Sequence, residues 1–194
     1  MSTYGSRNNL KKVDVLQETL FRSVASGGCF KSVLDVGCGT GLLGSIFLKA
    51  AEKMLFLDVS QMSLDQLKEK TADAAGACRV SFFCGDISEL PQKDFDLILF
   101  LLSLHHIDDW KGALKGAAER LSPDGKIVIC DLIHEFGMFH LEKVSHNGFC
   151  PYAITGYLRD SFSMKCESLP VSSIIKDEKE YSLFLLSCSG TTAP

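Results

Sequence analysis

Between Ser32 and Cys130, short apolar runs alternate with longer amphipathic segments, and this alternation constrains the fold more than any other feature. A run apolar on both faces, such as Phe95 to Leu101, suits a strand buried in the middle of a parallel sheet. Parallel neighbours need long crossovers, which the amphipathic segments supply as helices. The predicted strands are Ser32–Val36, Met54–Asp58, Val80–Cys84, Phe95–Leu101 and Lys126–Cys130. Ahead of them, Leu10, Val13, Leu16, Leu20 and Val24 are predicted on one face of a helix that ends at Gly27-Gly28. Further helices are predicted over about Leu42 to Ala51, after a cap at Ser60, and after a cap at Asp108 or Asp109. Pro123-Asp124-Gly125 turns the chain into the fifth strand.

Beyond Asp131 the alternation loosens. His134 to Val144 reads as helical, as does Tyr152 to Asp160. Two more strands are expected around Ser163–Leu169 and Tyr181–Cys188, and the polar run Ile175–Glu180 between them suits a hairpin. Residues 1–8 and 190–194 are expected to be flexible. With 194 residues, no repeat and no linker, the chain reads as one domain over 1–194.

Composition narrows the function classes. A net charge of −4 leaves no broad basic field, so no nucleic-acid partner is expected. The N-terminus lacks the apolar stretch of a signal peptide, and Leu97 to Leu102 is too short to span a bilayer. A cytoplasmic protein without a membrane partner is expected. The eight cysteines form no Cys-x-x-Cys and no zinc-finger spacing, which favours small buried thiols over a disulfide framework. Asp131, His134 and His140 allow a metal site, but no metal is expected; His134 and Glu135 could face a ligand beyond the fifth strand, with the exposed start of a helix as the favoured reading.

In an open parallel sheet, ligands bind beyond the carboxyl ends of the strands. Three features fall there. Gly37, Gly39 and Gly41 follow the first strand and let backbone approach a ligand closely. Asp58 closes the second strand, where a carboxylate can accept from both hydroxyls of a ribose. Asp86 follows the third strand, flanked by Gly85 and Ile87, which can line an adenine ring. A dinucleotide loop wants Gly-x-Gly-x-x-Gly, but here the spacing is Gly-x-Gly-x-Gly, with Leu42 where the third dinucleotide glycine belongs. Asp35, just before the loop, would repel a pyrophosphate and favour a cationic amino acid group. S-adenosylmethionine is cationic and carries no phosphate.

Leu34-Asp35-Val36-Gly37-Cys38-Gly39-Thr40-Gly41 resembles motif I of the class I methyltransferases. The similarity continues through Asp58-Val59-Ser60, Gly85-Asp86-Ile87, Phe95-Asp96-Leu97-Ile98, Ser103-Leu104-His105-His106-Ile107 and Leu121-Ser122-Pro123-Asp124-Gly125-Lys126, covering roughly residues 31–132. The resemblance implies a three-layer α/β sandwich around a seven-stranded, mostly parallel sheet with an antiparallel last strand. It implies S-adenosylmethionine as cofactor and S-adenosylhomocysteine as product, with Gly37, Cys38, Gly39 and Thr40 on the methionine part. Asp58 would hold the ribose, Val59, Asp86 and Ile87 the adenine, and Leu101 would lie near the sulfur.

Leu101-Leu102-Ser103-Leu104 stands where enzymes acting on nucleic-acid bases or protein amides carry Asn-Pro-Pro-Tyr or Asp-Pro-Pro-Tyr, so a small-molecule acceptor is expected. His105 and His106 are candidate catalytic bases or, alternatively, cap backbone and fill space. Residues 133–162 are the expected acceptor-side segment, in which Phe136, Met138, Phe139, Phe149 and Tyr152 would suit an apolar acceptor. Tyr152 and Tyr157 either line that pocket or cover the sheet. Two other readings stay open: a macromolecular acceptor recognised with a partner subunit, and a cofactor-binding sensor or scaffold that does not catalyse.

Overall fold

The computed structural model describes residues 10–25, 28–72 and 76–190. The tails expected to be flexible therefore lie outside the described residues, apart from Gly190, as does Gly27. The strands are β1 (Leu10–Lys11), β2 (Val33–Val36), β3 (Lys53–Asp58), β4 (Arg79–Cys84), β5 (Phe95–Leu101), β6 (Leu121–Leu132), β7 (Met164–Ser168), β8 (Ile174–Lys176), β9 (Lys179–Tyr181) and β10 (Leu183–Gly190). The α-helices are α1 (Val13–Ala25), α2 (Gln61–Thr71), α3 (Trp110–Ala118) and α4 (Pro151–Phe162).

Seven strands form the main sheet in the order β4-β3-β2-β5-β6-β10-β7. Strands β2 to β6 pair in parallel, and β10 runs antiparallel to both β6 and β7. The period of two is visible in β5. Leu97, Leu99 and Leu101 face one core with Leu16, Leu20 and Leu64, and Ile98 and Phe100 face the other with Leu114 and Leu158. The chain moves outward from β2 to β4, then returns to place β5 on the other side of β2. The order reverses between β2 and β5, and a cleft opens above that point.

Caps set the helix starts. The Ser60 hydroxyl accepts from Ser63 N–H at α2, and the Asp109 carboxylate accepts from Gly112 N–H at 2.9 Å. Asp109→Ala is expected to lower stability by about 1 kcal/mol, read as a shifted urea midpoint with an unchanged slope.

Four expectations are corrected. Leu10 does not continue the α1 stripe; it pairs with Lys176 in a small sheet ordered β1-β8-β9. The helix expected over Leu42 to Ala51 is a 3-10 helix, Gly44–Ala50. Gln17 takes the Leu42 carbonyl, the acceptor that an α-helical turn would offer to Ile46. No helix forms between His134 and Val144. Gly137 turns there with φ of 74°, Glu135 accepts from Met138 N–H, Tyr181 donates to the Met138 carbonyl, and Lys176 donates to that of Phe139. Side chains thus take up backbone groups that a helix would pair internally.

The cysteines are the fourth correction. Cys166 and Cys188 sit opposite each other on β7 and β10, with Cα atoms 4.0 Å apart, and form a disulfide. Cys78 and Cys130 are buried thiols as expected, but Cys29, Cys84 and Cys150 are exposed. The polar run expected to suit a hairpin does form one, β8–β9, with Asp177 and Glu178 both at positive φ as a two-residue turn requires. Among the described residues, no helix is long and apolar enough to cross a membrane.

Candidate functional site

The glycine loop is folded back over the end of β3. Gly37 and Cys38 donate their N–H groups to the Leu57 carbonyl at 2.8 and 3.0 Å. Asp58 completes the clasp: one carboxylate oxygen accepts from Gly39 N–H at 2.7 Å and the other from Ser60 N–H at 2.8 Å. Each oxygen retains further accepting capacity for a ligand hydroxyl. At Gly41, φ is 73°, a conformation that favours glycine, and a Cβ there would push Leu67 Cδ1 aside.

Asp35 lies on β2 with only 2% of its surface exposed, bordering the same cleft. Burial, reinforced by the nearby Asp58 charge, raises its pKa to about 7. Gly44 is what leaves it room, since a Cβ there would lie 1.8 Å from Asp35 Oδ2. Because its folded pKa stands above the unfolded value near 3.8, Asp35 favours a protonated fold. Its contribution to stability is full at acid pH and is lost as pH rises through about 7. Asp35→Asn is expected to gain stability relative to the wild type as pH rises across that window. Denaturant melts at several pH values check this, and a pH-independent difference would contradict it.

A cavity of about 790 Å³ joins these features. At one end it is bordered by Asp35, Gly37, Cys38, Gly39, Asp58 and Val59, with Gly85, Asp86 and Ile87 alongside. Asp86 is held by a capping box: it accepts from Ser88 N–H while Glu89 accepts from Asp86 N–H. Leu101 and Leu102 lie in the wall, and beyond them come His105, His106, Phe139, His140, Lys143 and Lys176. Ser103 pins this wall by donating to the Val36 carbonyl at 2.7 Å, which ties the ends of β2 and β5 together.

The histidine end is built around Asp131, fully buried at the end of β6. Asp131 Oδ1 meets His105 Nδ1 at 2.6 Å and accepts from Leu132 N–H at 2.7 Å, while Oδ2 accepts from His105 N–H at 3.2 Å. His105 Nε2 lies 2.9 Å from His140 Nε2. The His106 ring packs beside both, with centroids 4.2 Å from His105 and 4.8 Å from His140. Burial first, then the neighbouring imidazoles, push His106 down to about 4 and His140 to about 3. Both rings are neutral at physiological pH.

Of the residues singled out in the sequence, Thr40 and Gly41 do not border the cavity; they belong to the loop's packing. His105 and His106 do reach it, but differently. His105 is buried with both ring nitrogens engaged, whereas His106 packs one side of its ring on its neighbours and keeps part of its surface open to solvent. Asp131 and His140 come together through His105, but His134 points elsewhere, against Phe136. Tyr157 packs on Trp110 and donates to the Lys111 carbonyl, and Tyr152 is exposed; neither lines the cavity. Gly44, Ser103, Lys143 and Lys176 were missed. Gly44 comes back over Asp35 from beyond the glycine loop and Lys176 arrives from the distant β8, so neither carries a local signal.

Comparison with known proteins bears on this arrangement. Residues 33–125 match a family model described as a methyltransferase domain. The chain is 36% identical over 125 residues to the mitochondrial arginine-hydroxylase NDUFAF5 of Danio rerio, covering 60% of this chain and 37% of that protein. It is 28% identical over 131 residues to a ubiquinone biosynthesis O-methyltransferase of Idiomarina loihiensis, covering 66% of this chain and 53% of that one. The chain thus spans well under two thirds of these curated relatives. Among solved structures, the YcgJ protein of Bacillus subtilis superposes with a TM-score of 0.72 at 14% identity, covering 94% of this chain and 99% of that chain.

Proposed function

We propose that this chain, whose residues 33–125 match a methyltransferase domain, is a class I S-adenosylmethionine-dependent methyltransferase that methylates a small-molecule acceptor by in-line displacement. The observation that carries this reading is the single cavity with carboxylates at one end and imidazoles at the other. The donor set suits the cofactor. Asp35 is a buried acid whose charged form calls for a cationic partner, and among the described residues no Lys or Arg borders the glycine-loop end of the cavity, as a phosphate-bearing ligand would prefer. S-adenosylmethionine, when bound, supplies an electrophilic methyl group whose C–S electron pair returns to sulfur as the acceptor's lone pair forms the new bond.

The chain's own residues do the rest. Asp35, Gly37, Cys38 and Gly39 receive the methionine part, with Thr40 and Gly41 shaping the loop. Asp58 receives the ribose hydroxyls, and Val59, Gly85, Asp86 and Ile87 bracket the adenine. Leu101 walls the reacting centre and keeps water from it. His140, held by His105 Nε2, and His106 packed beside it border the acceptor's nucleophilic group and orient its lone pair toward the donor methyl, and the acceptor's proton passes to water as the new bond forms. Holding both reactants in one cavity supplies much of the rate gain.

A second reading, a protein acceptor, is favoured by exposed Phe136, Met138 and Leu141 near the histidine end, and by the hydroxylase name of one relative. Incubating the protein with methyl-labelled S-adenosylmethionine and a cell extract separates the readings. Label in the low-mass fraction is expected. Label confined to protein would replace the first reading with the second. Label in neither, with the cofactor bound, would mark a sensor or scaffold.

A further inference from the structure

We infer that His105, His106 and His140 form a site for a divalent transition-metal ion of the zinc class, with one coordination position open to the acceptor end of the cavity. A ligand nitrogen from each of the three imidazoles lies within 4.8 Å of the other two. Four-coordinate zinc with Zn–N bonds of about 2.0–2.1 Å holds its nitrogens roughly 3.4 Å apart. The 2.9 Å between His105 Nε2 and His140 Nε2 therefore needs only a small spreading, and the exposed His106 ring can swing inward to complete the triangle.

The surroundings match what such a site requires. Asp131 accepts from His105 Nδ1 and so fixes the tautomer whose Nε2 lone pair faces the cluster. That carboxylate is itself locked by the N–H groups of His105 and Leu132, so the first imidazole is oriented before any ion arrives. All three histidines border the cavity. Three protein ligands and an open fourth position facing a cavity are the pattern of a catalytic rather than a structural ion.

The consequence for catalysis rests on the methyl-transfer reading above. A hydroxyl or thiol acceptor takes the open position through its oxygen or sulfur, and its proton passes to water. The acceptor atom then presents a lone pair next to Leu101, where the donor methyl is expected. This assigns the acceptor to compounds bearing a hydroxyl or thiol that can ligate a metal.

The test is direct binding, independent of turnover. The metal-stripped full chain is titrated with Co2+, followed by Zn2+ in competition. A single equivalent is expected to give the visible bands of four-coordinate Co2+ without the near-ultraviolet band of a thiolate ligand, which excludes the free cysteines. His140→Ala and His106→Ala should each abolish or sharply weaken uptake, and Asp131→Asn should weaken it about 10–100-fold. His134→Ala, outside the cluster, should leave it unchanged. Absence of uptake in the wild type, a thiolate band, or equal uptake in His140→Ala and His106→Ala overturns the inference. Calorimetry with S-adenosylhomocysteine on the same samples reports the cofactor site separately, so failure of one claim is distinguishable from failure of the other.

Discussion

Asp131→Ala is expected to destabilise the protein by about 3–5 kcal/mol, because it removes the acceptor of three buried donors at once. Asp131 is wholly buried, and its carboxylate serves three donors: the His105 ring, the His105 backbone and the Leu132 backbone. Alanine leaves all of them buried without an acceptor and adds a small void. Leaving each buried donor unpaired costs about 1–3 kcal/mol. Asp131→Asn keeps one acceptor oxygen and should lose less than half as much. Urea denaturation of the three proteins reads the difference. A loss under about 1 kcal/mol in the alanine variant would mean that the dyad is not the anchor of this end of the cavity.

Asp58→Ala is expected to weaken S-adenosylhomocysteine binding by about tenfold to a hundredfold, the worth of a charged hydrogen bond. Two effects act in the same direction. The ribose would lose the acceptor proposed for it, and Gly39 and Ser60 lose the carboxylate that clasps the glycine loop to the end of β3. Asp58→Asn separates them, because an amide oxygen can still accept from one backbone N–H while the charge is gone. Binding in Asp58→Asn should fall between the wild type and the alanine variant. Unchanged affinity in a folded alanine variant would remove Asp58 from the site.

The sheet was legible because its central strands are buried on both faces, which forces unbroken apolar runs such as Phe95 to Leu101. The carboxylate end of the cavity was legible for a related reason. Asp35, Asp58 and Asp86 each sit at or beside the end of a strand, where the sheet's geometry brings neighbouring ends together. The segment from His134 to Val144 was not. Its apolar spacing imitates a helix, but its backbone is held by Lys176 and Tyr181, which reach it from the β8–β9 hairpin. The histidine cluster shows the same limit. His105 and His106 announce themselves after β5, but their partners come from the end of β6 and from the irregular loop beyond it. No local pattern distinguishes His140, which joins the cluster, from His134, which does not. The Cys166–Cys188 pair likewise depends on the register of β10 against β7, which cysteine spacing does not reveal.

The most direct measurement is isothermal calorimetry of the purified chain with S-adenosylmethionine, S-adenosylhomocysteine and NAD in parallel. Saturable binding of the first two at a single site, with no heat from NAD, is the expected result. No binding of either sulfur compound at millimolar concentration, or tighter binding of NAD, would contradict the reading of the glycine loop and its three carboxylates.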